Sequence, residues 1–406
     1  MEKLKFVMTT TFYPPYHIGG DAIHVYHLSN ELARLGHEVH VIHSIDSYHW
    51  QRKGKPIHEY PNHENVTVHS ISSPIGKISP LISYIFGSPF PVTRKIENII
   101  SEVKPDILHH HNIAGLGPFI LNNKASKVLY TAHDYWLICP MNGLIRDDRI
   151  YCKSNNHCKL CTLKSGRPVQ LWRCGGKINK YIKNVDTIIT PSNFMKDKLQ
   201  EFGLRGNFIT IPNFVPEPLK ADRQLYEFPY FVFVGVLEEH KGILNLINAF
   251  QKAKDEVDSK LLIIGSGSLA GKIKDFIIKN ECTDRIIMLG RIDDFFTLAN
   301  IYANALAVII PSVCAENCPM VAMEALANGT PIIVSNEGGL PEIINNIGFG
   351  SSMLLQTNSI ENLSLAIQKA SSMSQVSNST SIERKSFEMN YSVEAYMEKY
   401  EILIKG

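Results

Sequence analysis

The stretch CAENCPMVAMEALANGTP, residues 314–331, sets two carboxylates in and beside an apolar segment. Pro319 suits a helix start, and Gly329 suits the position just past a helix end. The residues between them are too apolar for a solvated helix, yet Glu324 lies among them and Glu316 stands just ahead. A carboxylate on a mostly buried helix is costly unless it is hydrogen-bonded. Either a fixed donor of the protein or the hydroxyl of a ligand can supply the bonds.

Other residues fall at the carboxyl ends of apolar runs, where open α/β sheets bind ligands. Gly19 and Gly20 precede the helical pattern DAIHVYHLSNELARLG, and Gly338 and Gly339 precede LPEIINN. Each pair reads as a tight turn, or as a place where backbone approaches an anion at a helix N-terminus. Its presence in both halves favours a phosphate ligand in a cleft between domains. Lys241 follows YFVFVG and opens GILNLINAF. It reads as a solvated lysine or as a point charge on a diphosphate. His133 ends VLYTAH, where a histidine bonded to backbone is the commoner fate. His109, His110 and His111 make a weak metal set, because alternate strand residues face opposite ways. In LLIIGSGSLAG, Gly265 and Gly267 match half of a dinucleotide fingerprint, with the third glycine displaced to Gly271.

Five of the eight cysteines lie within residues 139–174. Cys139, Cys152, Cys158 and Cys161 suit a structural four-thiolate zinc site, with His157 and Cys174 as alternative ligands. Free buried thiols and an iron–sulfur or redox role are the other readings. The stretch LKSGRPVQLWRCGGKINKYIKN carries six basic residues and no acidic one, with Trp172 and Tyr181 interleaved. It reads as a solvated basic face or as contact with an anionic acceptor at a membrane surface.

Elements must position these groups. At 406 residues the chain is long enough for two domains with full cores, and a formal charge of +2 is too small to argue by itself for nucleic acid. The opening LKFVMTT reads as a first strand rather than a signal peptide, and no apolar run reaches the ~18 residues of a membrane helix. A cytoplasmic protein, able to sit peripherally at the inner face of a membrane, is expected. Strands are expected at KFVMTT, EVHVIHS, DILHHH, VLYTAH and TIIT, then at YFVFVG, KLLIIG, IIMLG, AVIIPS and PIIVS. Continuous apolar runs alternating with helices predict an α/β protein with parallel, helix-covered sheets. IPNFVPEPLKADRQLYEFPY, with four prolines, reads as a linker, SSMSQVSNSTS as a surface loop, and FEMNYSVEAYMEKYEILIKG as a final helix. The expected domains are 1–205 with a cysteine-rich insert at 139–174, then 206–385, then a terminal helix at 386–406.

Taken together these residues resemble the group-1 retaining glycosyltransferases of the GT-B fold. The resemblance covers nearly the whole chain. It is carried by Glu316, seven residues, Glu324 and ALANGTPIIVSNEGGLPE, and by HIGGDAIHVYHLSNELARLGHEVHV, PDILHHHN, YTAHDYW, IPNFV and FVGVLEEHKG. It implies two Rossmann-like domains facing a central cleft, with the final helix packing back on the first. It also implies sugar transfer from a nucleotide diphosphate to an acceptor hydroxyl with retention and no catalytic metal. Polysaccharide, O-antigen and glycolipid synthesis are the usual settings. By the resemblance, Glu324 takes ribose hydroxyls, and Glu316 and His133 lie by the donor sugar. Lys241 binds the diphosphate, Gly338 and Gly339 approach sugar and phosphate, and Gly19 and Gly20 lie by diphosphate and acceptor. The family commonly has arginine where Val236 stands, and Arg291 is a candidate substitute. The competing readings are a sugar-nucleotide epimerase of similar fold, a non-catalytic sugar-nucleotide-binding relative, and an NAD-dependent oxidoreductase.

Overall fold

Runs of β-branched and aromatic residues form strands buried on both faces, as Phe6-Val7-Met8 and Phe231-Val232-Phe233 show. The structure is a computed structural model that describes residues 3–56, 58–145, 152, 158–173, 178–218, 221, 223–348, 350–373 and 381–405. The chain forms two units, Met1–Ile211 with Glu401–Gly406, and Pro212–Tyr400.

In the first unit the described residues give seven parallel strands. They are β1 (Lys5–Thr9), β2 (Glu38–Ser44), β3 (Val66–Ile71), β4 (Ile107–His110), β5 (Lys127–Thr131), β6 (Thr187–Thr190) and β7 (Phe208–Thr210). Their order is β3-β2-β1-β4-β5-β6-β7, so the winding reverses between β1 and β4. The helix Gly20–Arg34 buries Ala22, Val25, Leu28 and Leu32, a stripe at helical spacing that packs beside the sheet. Thr93–Val103 buries Ile96 and Ile100 in the same way.

The second unit has β8 (Tyr230–Val234), β9 (Lys260–Ile264), β10 (Ile286–Gly290), β11 (Ala307–Ile310), β12 (Ile332–Val334) and β13 (Met353–Leu354). All are parallel, in the order β10-β9-β8-β11-β12-β13, with the reversal between β8 and β11. Side chains alternate between two core layers. Phe231, Phe233, Leu261 and Ile263 enter one. Tyr230, Val232, Leu262 and Ile264 enter the other. That is the period-2 consequence of a sheet covered on both faces.

All ten expected strands form. The structure adds β3, β7 and β13, which are all edge strands. An edge strand packs on fewer neighbours and keeps polar residues, as Val-Thr-Val-His-Ser-Ile in β3 does, so its apolar run is broken. The expected final helix is two helices, Ile382–Asn390 and Val393–Lys405. Ser392 separates them, accepting from the amide of Ala395 through its hydroxyl oxygen, as an N-cap does. Most of the serine-rich stretch, residues 374–380, lies outside the described residues.

Candidate active site

In the second unit the central feature is an ion pair. Lys241 ends a short 3-10 turn, Glu239–Lys241, one residue before the helix Ile243–Lys252 that the sequence expected it to open. Between them Gly242 has φ 71°, and a Cβ there would lie 1.8 Å from the Pro311 carbonyl oxygen. Only glycine fits that crossing. The turn delivers the Lys241 ammonium to Glu316 Oε1 at 2.5 Å, and Ser312 Oγ donates to the same oxygen at 2.6 Å. The Lys241 and Glu316 side chains are 26% and 12% exposed. Burial opposes ionisation of Glu316, but Lys241, aided by Ser312 and His240, outweighs it and holds the carboxyl below its ordinary range. Burial likewise opposes the ammonium, and Glu316 overcomes it, so the Lys241 pKa is raised. Both shifts favour the charged pair.

Backbone locks Glu316 in place. Gly338 has φ 67°, and a Cβ on it would lie 2.0 Å from the Glu316 carbonyl oxygen. Gly339 N–H donates to that oxygen at 2.6 Å. The second glycine pair is thus brought against Glu316, with the Gly339 amide already committed there.

Glu324 sits on Met320–Ala327, which starts after Pro319 and ends in a Schellman motif. There Gly329 N–H bonds Leu326 O and Thr330 N–H bonds Ala325 O. The fixed donor for Glu324 is Tyr302, whose hydroxyl donates to Oε2 at 2.8 Å. Among the described residues nothing donates to Oε1. Burial raises the Glu324 pKa, and the Tyr302 bond works against that rise. One oxygen therefore stays open to a ligand hydroxyl.

Arg291 has a carboxylate partner of its own. It is exposed after β10 and pairs with Asp293 at 2.6 Å. Val236 is 45% exposed in the loop after β8. Two glycines of LLIIGSGSLAG, Gly265 and Gly267, have a packing reason. A Cβ on Gly265 would lie 1.8 Å from the Gly235 carbonyl oxygen, and one on Gly267 would lie 2.5 Å from that of Leu237.

The first unit gathers its groups beyond β1, β4 and β5. His133 follows β5, and its Nε2 lies 3.1 Å from His111 Nδ1. The rings of His109 and His111 are 4.0 Å apart on one face, and His24 packs on His133 at 5.2 Å. His110 faces the other way, with Nδ1 2.7 Å from Thr9 Oγ1. Burial pushes the His133 pKa down to about 4. Burial and neighbouring histidines hold His24, His109 and His111 well below the ordinary value. This is a neutral, buried imidazole cluster. Gly19, with φ 88°, and Gly20 start the helix Gly20–Arg34 as expected, but Asp21 occupies its first turn. Asn112 donates to Asp21 at 2.8 Å. Asp134 accepts from Trp136 N–H at 2.8 Å and Asn142 at 3.0 Å, and burial pushes its pKa up to about 7.

Sequence reasoning missed Tyr302, Ser312, Asp21, Asn112 and Asp134. Asp134 and Asn112 stood in quoted motifs, next to residues that were singled out. Tyr302 lies on a helix 22 residues before Glu324 and carried no local signal.

In the insert, Cys139 is buried, and the amides of Met141 and Leu144 point at its sulfur. Cys158 lies near Cys139, Cys152 and Cys161, and burial with their proximity pushes its pKa up to about 11. Among the described residues no three His, Cys, Asp or Glu side chains are arranged to hold a metal ion. His157 and Cys174 lie outside the described residues. The basic stretch does not present an interleaved aromatic face at Trp172. That ring is 4% exposed, donates to Tyr84 O at 3.0 Å, and carries the Arg173 guanidinium 4.2 Å from its centroid. Among the described residues no helix is long and apolar enough to cross a membrane.

Residues 18–217 match the Glycosyltransferase Family 4 model, and residues 219–386 match the model for glycosyl transferases group 1. An uncharacterized 42.6 kDa protein in the cps region of Klebsiella pneumoniae is 27% identical, over 98% of this chain and 100% of its own. An uncharacterized glycosyltransferase of Methanocaldococcus jannaschii is 28% identical, over 84% and 83% of the two chains. The catalytic domain of starch synthase IV from Arabidopsis thaliana, bound to ADP and acarbose, shares the fold. Its TM-score is 0.69 at 16% identity, over 100% of this chain and 99% of that one. Two parallel Rossmann-like sheets, the charged Lys241–Glu316 pair, Glu324 on its apolar helix and two family models spanning most of the chain converge: the protein belongs to the group-1 glycosyltransferases and has the GT-B fold.

Proposed function

We propose that the protein transfers a sugar from a nucleoside diphosphate sugar to an acceptor hydroxyl with retention, in the synthesis of a polysaccharide, O-antigen or glycolipid. The observation that carries this is the charged Lys241–Glu316 pair, with Glu324 on the helix that starts shortly after Glu316 in the chain. The open Oε1 of Glu324 suits a ribose diol. Lys241 gives one of its three donors to Glu316 and keeps others for diphosphate oxygens. A carboxylate held ionised near the anomeric carbon favours positive charge there. The ammonium favours the negative charge on the departing phosphate. The anomeric C–O bond breaks, and its electrons leave with the diphosphate. The acceptor oxygen bonds on the same face and passes its proton to the leaving phosphate oxygen. Lys241 supplies the cation at the phosphate, so this route needs no divalent ion. His133, neutral at pH 7, and Gly19–Gly20 belong to the same reading as groups beside sugar and acceptor. The ADP in the starch synthase structure supports the donor class.

Turnover tests it. Donor consumed only with acceptor, giving an α-linked product from an α-linked donor, is expected. Isomerised sugar nucleotide without acceptor would support the epimerase, and binding without turnover the non-catalytic relative. Arg291 as a substitute phosphate contact stays a proposal, read out by the donor KM of Arg291→Ala. A structural zinc on Cys139, Cys152, Cys158 and Cys161 stays one too. It requires the insert to draw its sulfurs together, takes no part in transfer, and is tested by metal analysis of protein purified without added zinc. Exposed Leu160, Leu163, Lys164 and Lys183 support peripheral contact with an anionic membrane, tested by co-sedimentation with anionic vesicles.

A further inference from the structure

The first unit contains a cavity of about 500 Å³ that none of the groups above fills. Thr11 and Phe12, just after β1, line it, as do Asn112 and Gly115, just after β4. It therefore sits at the point where the sheet reverses its winding, the position at which open α/β sheets take ligands. Its volume falls in the range of small-molecule sites.

The wall chemistry is specific. Trp50, Tyr84 and Trp136 supply aromatic surface. Trp50 is half exposed at the end of the helix Ile45–Gln51. Gln51, Asn112 and Asn142 supply amides. Asn112 and Asn142 are held by Asp21 and Asp134, so their positions are set from behind. Arg167, exposed and lying against Tyr84, is the one charged residue on the lining among the described residues. Aromatic faces suit the C–H faces of a pyranose, and amides suit its hydroxyls. A lone cation with no carboxylate on the lining selects a negative charge. Pro140, Met141 and Asn142 come directly after Cys139, and Arg167 follows the helix Cys158–Lys164. The cysteine-rich insert thus builds the wall that carries the selectivity.

We propose that this cavity binds the acceptor, a saccharide with an anionic group that Arg167 reads. Naming the ligand an acceptor rests on the transfer reaction proposed above; the anionic saccharide site itself does not. The chain has three tryptophans. Two line the cavity, and the third, Trp172, packs on Trp136 at 5.2 Å. Tryptophan emission is therefore a local reporter. The experiment titrates the full chain with methyl glucoside, methyl glucuronoside, glucose 1-phosphate and inorganic phosphate, on wild type and Arg167→Gln. Thermal shift by nucleoside diphosphates is read in parallel. The expected result is that one or both anionic sugars perturb emission at about tenfold lower concentration than the neutral glycoside. Whichever anionic sugar responds identifies carboxylate or phosphate as the group. Arg167→Gln removes that advantage and leaves the nucleotide shift unchanged. Equal response to neutral and anionic sugars, inorganic phosphate matching glucose 1-phosphate, an unchanged Arg167→Gln, or no response to any sugar would each overturn the proposal. Loss of the nucleotide shift in wild type, with the sugar response intact, would instead overturn the donor reading.

Discussion

Lys241 and Glu316 hold each other charged where burial alone would neutralise both. Removing one partner of such a pair leaves an uncompensated charge, which costs roughly 3 kcal/mol. Lys241→Ala is therefore expected to lower stability by about that amount and to abolish transfer. Lys241→Ala with Glu316→Gln should regain most of the stability and none of the activity. Urea unfolding and donor turnover on the two variants check this; equal stability losses would remove the pair from the account. The sequence showed that Glu324 needed a partner, because its helix was too apolar to be solvated. It could not show Tyr302, since a hydroxyl arriving from another helix leaves no local pattern. The surroundings of Arg291 were only partly legible. Its place after the edge strand β10 is a matter of sheet order, whereas its pairing with Asp293, two residues on, is local.

Two kinds of glycine distinguish the elements that hold the site. Gly242 lets the Lys241 turn cross Pro311 with φ 71°, and a Cβ there would lie 1.8 Å from a carbonyl oxygen. Gly271 lies inside the helix Ala270–Lys279 with nothing within 4 Å of its would-be Cβ. Gly242→Ala is expected to cost at least 1–3 kcal/mol in backbone strain. Gly271→Ala should add roughly 0.5–1 kcal/mol. Thermal unfolding of both variants measures the contrast, and shifts of the same sign would contradict it. At this scale the sequence was most legible in the sheet centres. Central strands are apolar on both faces and announce themselves, whereas β3, β7 and β13 lie on edges with mixed faces. The break at Ser392 between the last two helices was also legible in principle, since serine is a preferred N-cap.

Over the whole molecule, pH dependence follows from histidines buried in the neutral form. His27, His43 and His133 titrate at about 4, chiefly because burial disfavours their charged form. In the unfolded chain they titrate near 6.5. Between these values the unfolded state binds more protons, so stability falls as pH drops from about 6.5 to about 4. Asp134, raised to about 7 by burial, acts in the opposite direction from pH 7 down to about 4, as do Asp21 and Glu324, which burial also raises, but the lowered histidines, with His24, His109, His110 and His111 among them, outnumber these carboxyls. Urea midpoints measured from pH 8 to pH 4.5 should be flat or slightly rising to 6.5 and then fall. A midpoint that held steady below pH 6 would contradict the buried-imidazole cluster.

Thermal shift tests whether Glu324 and the Lys241–Glu316 pair form a nucleoside diphosphate sugar site. UDP, GDP, ADP and NAD are compared on wild type and on Glu324→Ala. At a hundredfold excess over Kd a specific ligand stabilises by about 2.7 kcal/mol. One nucleoside diphosphate is expected to stabilise wild type, with the shift disappearing in Glu324→Ala. Stabilisation by NAD alone, or an undiminished shift in the variant, would contradict that assignment.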